Sequence, residues 1–258
     1  MQLDEYLTAI ASEGGAMADA AAEAGLDTPV FTCPGWTVRD VVLHTGEVHR
    51  WATAVLRLQV TNLGQVPADS LAMLPNDTAA LDWFRVGVAD LLDALGAADP
   101  TVLYGSFFEN SPMPRLTFWA RRQAHELGIH RVDVELAAGR CTPFAPAYAA
   151  DGIDEFLCGF VSRKRTPLKS DTPRTLVVAP TDVDDRWMLT ISADPPHAHR
   201  LDAAETDAVR RAADCVVGGA ASDLYRAVWN RGDLAPLALE GDAQIFQLVR
   251  DSVHIRWA

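Results

Sequence analysis

The sequence lacks most features of a membrane, secreted or nucleic-acid-binding protein. No apolar run approaches the roughly 18 residues that a membrane span requires, and Met1-Gln2-Leu3-Asp4-Glu5 has none of the basic character of a secretory leader. Both absences make the cytoplasm the expected compartment. Basic residues are scarce, 22 Lys and Arg against 35 Asp and Glu, for a formal charge of -13. Phosphate-backbone binding depends on clustered Lys and Arg, so this balance argues against a nucleic-acid partner; the few basic residues gather around 115 to 131 and 163 to 174. There are four cysteines, Cys33, Cys141, Cys158 and Cys215, widely spaced and without a C-x-x-C. That spacing argues against a disulfide framework and against a structural zinc site. Isolated cysteines are expected as small buried hydrophobes, but Cys33 stands just ahead of a helix that carries a candidate ligand. Internal repeats and low-complexity tracts are also missing.

With 258 residues, 49% of them hydrophobic, the chain can bury a sizeable core in one large or two modest domains. Apolar periodicity predicts helices over 3 to 24, 38 to about 60, about 77 to 95 and about 116 to 138. Gly25, Gly96 and Gly139 supply stops, Asn76 or Asp77 a cap for the third helix, and Gly64, Pro67, Pro75 and the stretch from Pro100 to Pro114 the intervening loops. Four amphipathic segments of about twenty residues joined by polar loops read as a four-helix bundle, in which metal sites arise from facing helices.

From about 143 the character changes. Prolines at 143, 146, 167 and 173 and the run Arg163-Lys164-Arg165 bracket a helix near 149 to 162. Strands are expected at 175 to 179, 187 to 192, 215 to 218, 237 to 240 and 253 to 257, with helices at 222 to 230 and 242 to 250. His197 and His199 fall in an expected solvated turn. The predicted fold class is α+β, with domains over 1–145 and 146–258.

The chemistry gathers in Arg121-Arg122-Gln123-Ala124-His125-Glu126-Leu127-Gly128-Ile129-His130-Arg131-Val132-Asp133. His125 and His130 are five residues apart, so on a helix they point roughly 140° away from each other and cannot share a metal. Glu126 and His130, four apart, stack on one face. They offer two ligands, and a catalytic zinc takes about three from the protein, leaving one position open. His44 is a candidate for the third. Thr37 and Asp40 form a capping box that starts its helix, and Val41, His44, Val48, Trp51, Val55 and Leu58 trace a face on which His44 is the only polar member. Each observation alone also fits a satisfied core histidine or a surface Glu–His pair.

The segment Cys33-Pro34-Gly35-Trp36-Thr37-Val38-Arg39-Asp40-Val41-Val42-Leu43-His44, followed by Glu126-Leu127-Gly128-Ile129-His130-Arg131-Val132-Asp133, is similar to the N-terminal domain of the mycothiol-dependent maleylpyruvate isomerase family, actinobacterial members of the DinB-like metal-dependent helical bundles. The resemblance implies a DinB-like four-helix bundle whose metal ligands are His44, Glu126 and His130, with Asp133 holding a ligating imidazole from behind. The stretch from Asp223 to Arg231, then Leu239-Glu240-Gly241-Asp242, looks like the family's sterol-carrier-protein-like C-terminal domain. Asn230 departs from the family pattern, standing where Gly is common. Arg231 matches a family position that reaches toward the cleft, and Arg122 sits one turn before Glu126. Both are candidate anion-binding groups for catalysis, with a solvated arginine or a structural ion pair as the alternative for each. Trp36, Trp119 and Tyr104 are candidate pocket walls or core residues.

The implied cofactors are Zn2+ or another divalent metal, with mycothiol as cosubstrate. A thiol on such a metal ionises near neutral pH and becomes a nucleophile toward an electrophilic carbon. Reversible addition to a conjugated cis double bond permits rotation and gives an isomerase; retention of the thiol gives a transferase. The expected partners are therefore a thiol and a small-molecule electrophile, with no nucleic acid or membrane. A zinc hydrolase using bound water and a non-catalytic small-molecule binding protein are the alternatives, and monomer or dimer stays open.

Overall fold

The computed structural model describes residues 1–67, 79–108, 112–202 and 206–255. The chain falls into two compact units, Met1–Thr142 and Pro143–Ala258.

The first unit is built from α1 (Leu3–Ala24), α2 (Val38–Arg57), α3 (Ala80–Ala97) and α4 (Arg115–Ala137). The strongest packing is α1 on α4 and α2 on α3, then α1 on α3 and α2 on α4, so the four helices close a ring in the order α1, α4, α2, α3. Capping explains several ends. Thr37 Oγ1 accepts from the Asp40 backbone N–H while Asp40 Oδ2 accepts from the Thr37 N–H, the reciprocal box expected from the sequence. Gly139, at φ 76, takes the left-handed conformation just past α4 that favours glycine. The cap expected at Asn76 or Asp77 lies outside the described residues. Small residues let α2 and α3 approach closely. A Cβ added at Gly46 would lie 2.2 Å from the Trp83 ring, and one at Gly87 2.5 Å from the Arg50 guanidinium. Arg50 in turn lies 3.5 Å over Trp83 and donates to the carbonyls of Gly46 and Trp83.

α4 has no solvent stripe: every residue from Leu116 to Glu135 but Thr117 and Arg121 is buried. Its buried charges persist because they are matched. Arg131 pairs with Glu13 of α1 and, at 2.5 Å, with Glu135; Arg140 also pairs with Glu135.

The second unit opens with α5 (Pro146–Asp154), which passes directly into a π-helical segment, Glu155–Val161. A mixed five-stranded sheet follows, in the order β3, β2, β1, β4, β5: β1 (Arg174–Pro180), β2 (Trp187–Ile191), β3 (His197–Arg200), β4 (Cys215–Gly219) and β5 (Ala238–Gly241). Only β1 and β4 run parallel. α6 (Thr206–Ala212), α7 (Ala221–Val228) and α8 (Ala243–Ser252) complete it. In β2, Trp187, Leu189 and Ile191 alternate inward with half-buried Met188 and Thr190, the period-two pattern of a strand. The helical bundle followed by a small mixed sheet agrees with the α+β expectation.

Three local expectations need correction. His197 and His199 lie in β3, not in a turn: the strand completes its ladder on β2 by backbone bonds that a polar side-chain pattern does not reveal. Of the strand expected over 253–257, residues 253–255 are not in a strand, and 256 and 257 lie outside the described residues. α2 stops at Arg57, and Leu58, placed on its inner face by periodicity, is exposed. The Gly-to-Asn departure at 230 has a backbone reason. Asn230 sits at φ 59, a left-handed position that Gly and Asn share, and its Nδ2 donates to the Arg250 carbonyl at 2.9 Å.

Candidate metal centre

The loop before α2 folds tightly by its own chemistry. Pro34 and Gly35 occupy the centre of a turn closed by the Trp36 N–H on the Cys33 carbonyl at 2.9 Å, and Gly35 takes φ 87, which favours glycine. Val30 and Trp36 are joined by a backbone bond of 2.9 Å, and Pro29 bridges Thr37. The turn brings Thr32, Cys33 and Trp36 to α4.

Behind it, α2 and α4 bring His44, Glu126 and His130 together. Nε2 of His44 lies 3.3 Å from Glu126 Oε1, and Nε2 of His130 lies 3.4 Å from the same oxygen. One ligand atom from each residue falls within 4.8 Å of the others. These separations are long for charge-assisted hydrogen bonds. They match the edge of a tetrahedron with metal–ligand bonds of 2.0–2.1 Å, roughly 3.3 Å, so the donor set fits a cation such as zinc with three protein ligands. His125 faces the other way, its ring edge-on to Tyr6 of α1, as the helical angle requires.

The surroundings hold the triad in place. Arg122 Nη2 donates to Glu126 Oε2 at 3.0 Å, with both side chains buried. His130 Nδ1 lies 2.9 Å from Asp133 Oδ2. Trp36 stacks on the His130 ring and meets His44 edge-on, at centroid separations of 6.5 and 5.1 Å. Burial would raise the Glu126 pKa, but hydrogen bonds from His130 and His44 and the Arg122 charge outweigh it and leave the carboxyl well below its usual range. Burial would lower the His130 pKa, but hydrogen bonds to Asp133 and Glu126 carry it up to about 9.

The remaining candidates separate. Trp119 is fully buried among Trp51, Phe107 and Phe118, with its indole N–H on the Gly105 carbonyl, and Tyr104 donates to the Asp99 carbonyl; both are core residues. Arg231, in the second unit, donates to the Trp229 carbonyl at 2.8 Å. Sequence reasoning passed over His49. It is fully buried on α2, packs 5.7 Å from the Phe84 ring, and neither ring nitrogen has a hydrogen-bond partner. Burial pushes its pKa down to about 3, against the pull of Glu126. It was missed because α2 buries a wide arc against both α3 and α4, and His49 lies near its centre, away from the narrower stripe through His44.

Fold and site together define the class: a helical bundle whose adjoining helices converge two imidazoles and a carboxylate, followed by a small mixed-sheet unit. The family described as Mycothiol maleylpyruvate isomerase N-terminal domain matches residues 7–135, and MDMPI C-terminal domain matches residues 147–247. The chain belongs to the mycothiol maleylpyruvate isomerase family, a family of enzymes. Two solved structures share its fold. They are the crystal structure of the mycothiol-dependent maleylpyruvate isomerase, at TM-score 0.62 and 15% identity, and that of a histidine-to-alanine mutant, at TM-score 0.62 and 14% identity. Each covers 93% of this chain and 93% of the other. No curated protein matches the chain.

Proposed function

We propose that the protein is a cytoplasmic, cation-dependent enzyme that uses mycothiol to isomerise a small electrophile of the maleylpyruvate kind or to transfer the thiol to it. In this reading residues 1–145 are the cation-binding domain and 146–258 a second domain. The observation that carries it is the meeting of His44, Glu126 and His130, with both imidazole Nε2 atoms at tetrahedral-edge distances from Glu126 Oε1. His44, Glu126 and His130 would hold a divalent cation, zinc by its fit to the donors, and that cation would favour the ionised form of a thiol near neutral pH, the form that adds to and leaves from a conjugated double bond.

The chain's own residues do the rest. Glu126 offers Oε1 toward the cation position because Arg122 occupies Oε2. Asp133 accepts from His130 Nδ1 and so leaves Nε2 as the nitrogen that offers a lone pair to a cation once its proton is displaced. Trp36 covers one side of both imidazoles with an apolar ring, which limits water around the reacting sulfur. Arg231, and Arg122 to the extent that its charge reaches beyond Glu126, are assigned to the carboxylates of the substrate.

The test combines metal analysis with turnover. Purified protein should retain about one divalent cation per chain, lost in His44→Ala and Glu126→Ala. The zinc-loaded protein should convert maleylpyruvate to its trans isomer, or form a thiol adduct, only when mycothiol is added. Turnover of an ester or amide without thiol would move the assignment to a hydrolase. Absence of bound metal, with both variants behaving as the wild type, would remove it.

A further inference from the structure

Two residues that the proposed chemistry does not use converge behind the metal ligands. Thr32 Oγ1 donates to Asp133 Oδ1 at 2.6 Å, and Cys33 Sγ donates to Asp133 Oδ2 at 3.4 Å. His130 Nδ1 meets the same Oδ2. Asp133 is fully buried, whereas Thr32 and Cys33 are only partly so. The loop ahead of α2 thus reaches across to α4 and holds the carboxylate that in turn holds a ligand.

We propose that Thr32 and Cys33 are positioning residues that orient Asp133 and, through it, the His130 imidazole, and that the Cys33 thiol acts as a hydrogen-bond donor rather than as a nucleophile. The inference rests on the metal reading above. Its physical basis is that a carboxylate free to rotate presents its lone pairs in many directions, whereas one gripped at both oxygens presents a fixed lone pair to Nδ1. A fixed Nδ1 contact sets the ring plane and points Nε2 at the cation position. The turn through Pro34 and Gly35 delivers both donors, since its backbone closure places Cys33 beside α4 while Trp36 covers the imidazoles.

Cys33, His130 and Asp133 also bring one ligand atom each within 4.8 Å of one another, as the first triad does. The 2.9 Å separation of Nδ1 and Oδ2 favours a shared proton: it is a hydrogen-bond length, shorter than the roughly 3.3 Å edge around a bound zinc. The 3.4 Å contact of Cys33 Sγ with Asp133 Oδ2 argues against a catalytic thiolate, because a negative sulfur beside a buried carboxylate is repelled by it.

The experiment measures zinc affinity by competition with a chromophoric chelator, on the full chain, for Thr32→Val, Thr32→Ser, Cys33→Ala and Cys33→Ser, with the unfolding temperature of each zinc-free variant beside it. Loss of a partner behind a metal ligand typically costs ~10–100-fold in affinity. Thr32→Val and Cys33→Ala should fall toward that range, whereas the two serine variants, which keep a donor, should recover most of the wild-type affinity. Zinc-free unfolding temperatures should stay close to wild type, which separates orientation from general damage. Wild-type affinity in the Thr32→Val/Cys33→Ala double variant overturns the proposal. So does a wild type that binds two zinc ions and loses one in Cys33→Ala, or a Cys33→Ser variant as impaired as Cys33→Ala. A wild type that binds no zinc defeats the metal reading itself, and this proposal with it.

Discussion

Arg122 Nη2 lies 3.0 Å from Glu126 Oε2, while Oε1 of the same carboxylate receives His44 and His130. The two oxygens thus have separate tasks, and in the zinc-free protein the arginine shares the buried countercharge with a protonated His130. Breaking a buried pair by removing one partner costs about 3–5 kcal/mol. Arg122→Met should therefore destabilise the zinc-free protein by roughly that amount, and by clearly less in saturating zinc, where the cation takes over the countercharge. Urea unfolding with and without zinc measures the difference; an equal loss in both conditions would contradict it.

The two perturbed histidines give the zinc-free protein a pH profile with limbs of opposite origin. His130 titrates at about 9 in the fold against about 6.5 in the unfolded chain. Its stabilisation is thus complete below about pH 6.5 and is lost as pH rises toward 9. His49, held near 3, works the other way. Between about 3 and 6.5 the unfolded chain binds a proton that the native state refuses, so stability falls as pH falls, by up to ~1.4 kcal/mol per pH unit. Denaturation midpoints taken from pH 4 to 9.5 should peak near 6.5.

Zinc competes with the proton on His130. At pH 7 to 8 binding should release about one proton from that ring, and affinity should climb with pH until about 9 before levelling. Calorimetry in buffers of differing ionisation enthalpy counts the proton directly, and finding no release would show that His130 is not a ligand.

His49 gives a prediction of the opposite sign from most core changes. Both ring nitrogens are buried without hydrogen-bond partners, a state that costs about 1–3 kcal/mol. His49→Leu nearly conserves volume and removes the orphaned nitrogens, so it should raise stability at pH 7 by about 1 kcal/mol or more and flatten the acid limb. A variant less stable than wild type at pH 7 would show that the ring is satisfied in solution.

Gly46→Ala should destabilise by about 1–3 kcal/mol. The added methyl meets a Trp83 ring that cannot swing away freely, because Arg50 lies on its face. Thermal melts of Gly46→Ala and Gly46→Ala/Trp83→Leu test the cause: the second change should recover part of the loss.

Legibility in the sequence followed the range of the interactions. The start of α2 could be read because Thr37 and Asp40 cap it within one turn, and the facing of Glu126 and His130 because helix geometry alone sets it. The turn at Pro34-Gly35 is equally local. What the sequence hid depends on neighbours that are distant in the chain. The partner of Arg122 could be guessed at i,i+4, but its burial could not. Thr32 and Cys33 reach Asp133 across a hundred residues, and nothing near either end announces it. His49 stayed hidden because two helices, not one, cover α2. β3 was missed because pairing with β2, rather than side-chain alternation, makes it a strand. The passage from α5 into π-helical geometry at Glu155 left no periodic trace in the sequence.

That α4 is enclosed along almost its whole length bears on how the protein fails. Amide hydrogens of a segment with so little water contact exchange only when the surrounding bundle opens, so the backbone carrying Glu126 and His130 should be among the last to exchange. On the proposed cation-dependent reading, heating should release the metal together with global unfolding, and inactivation should then track the melting curve instead of preceding it.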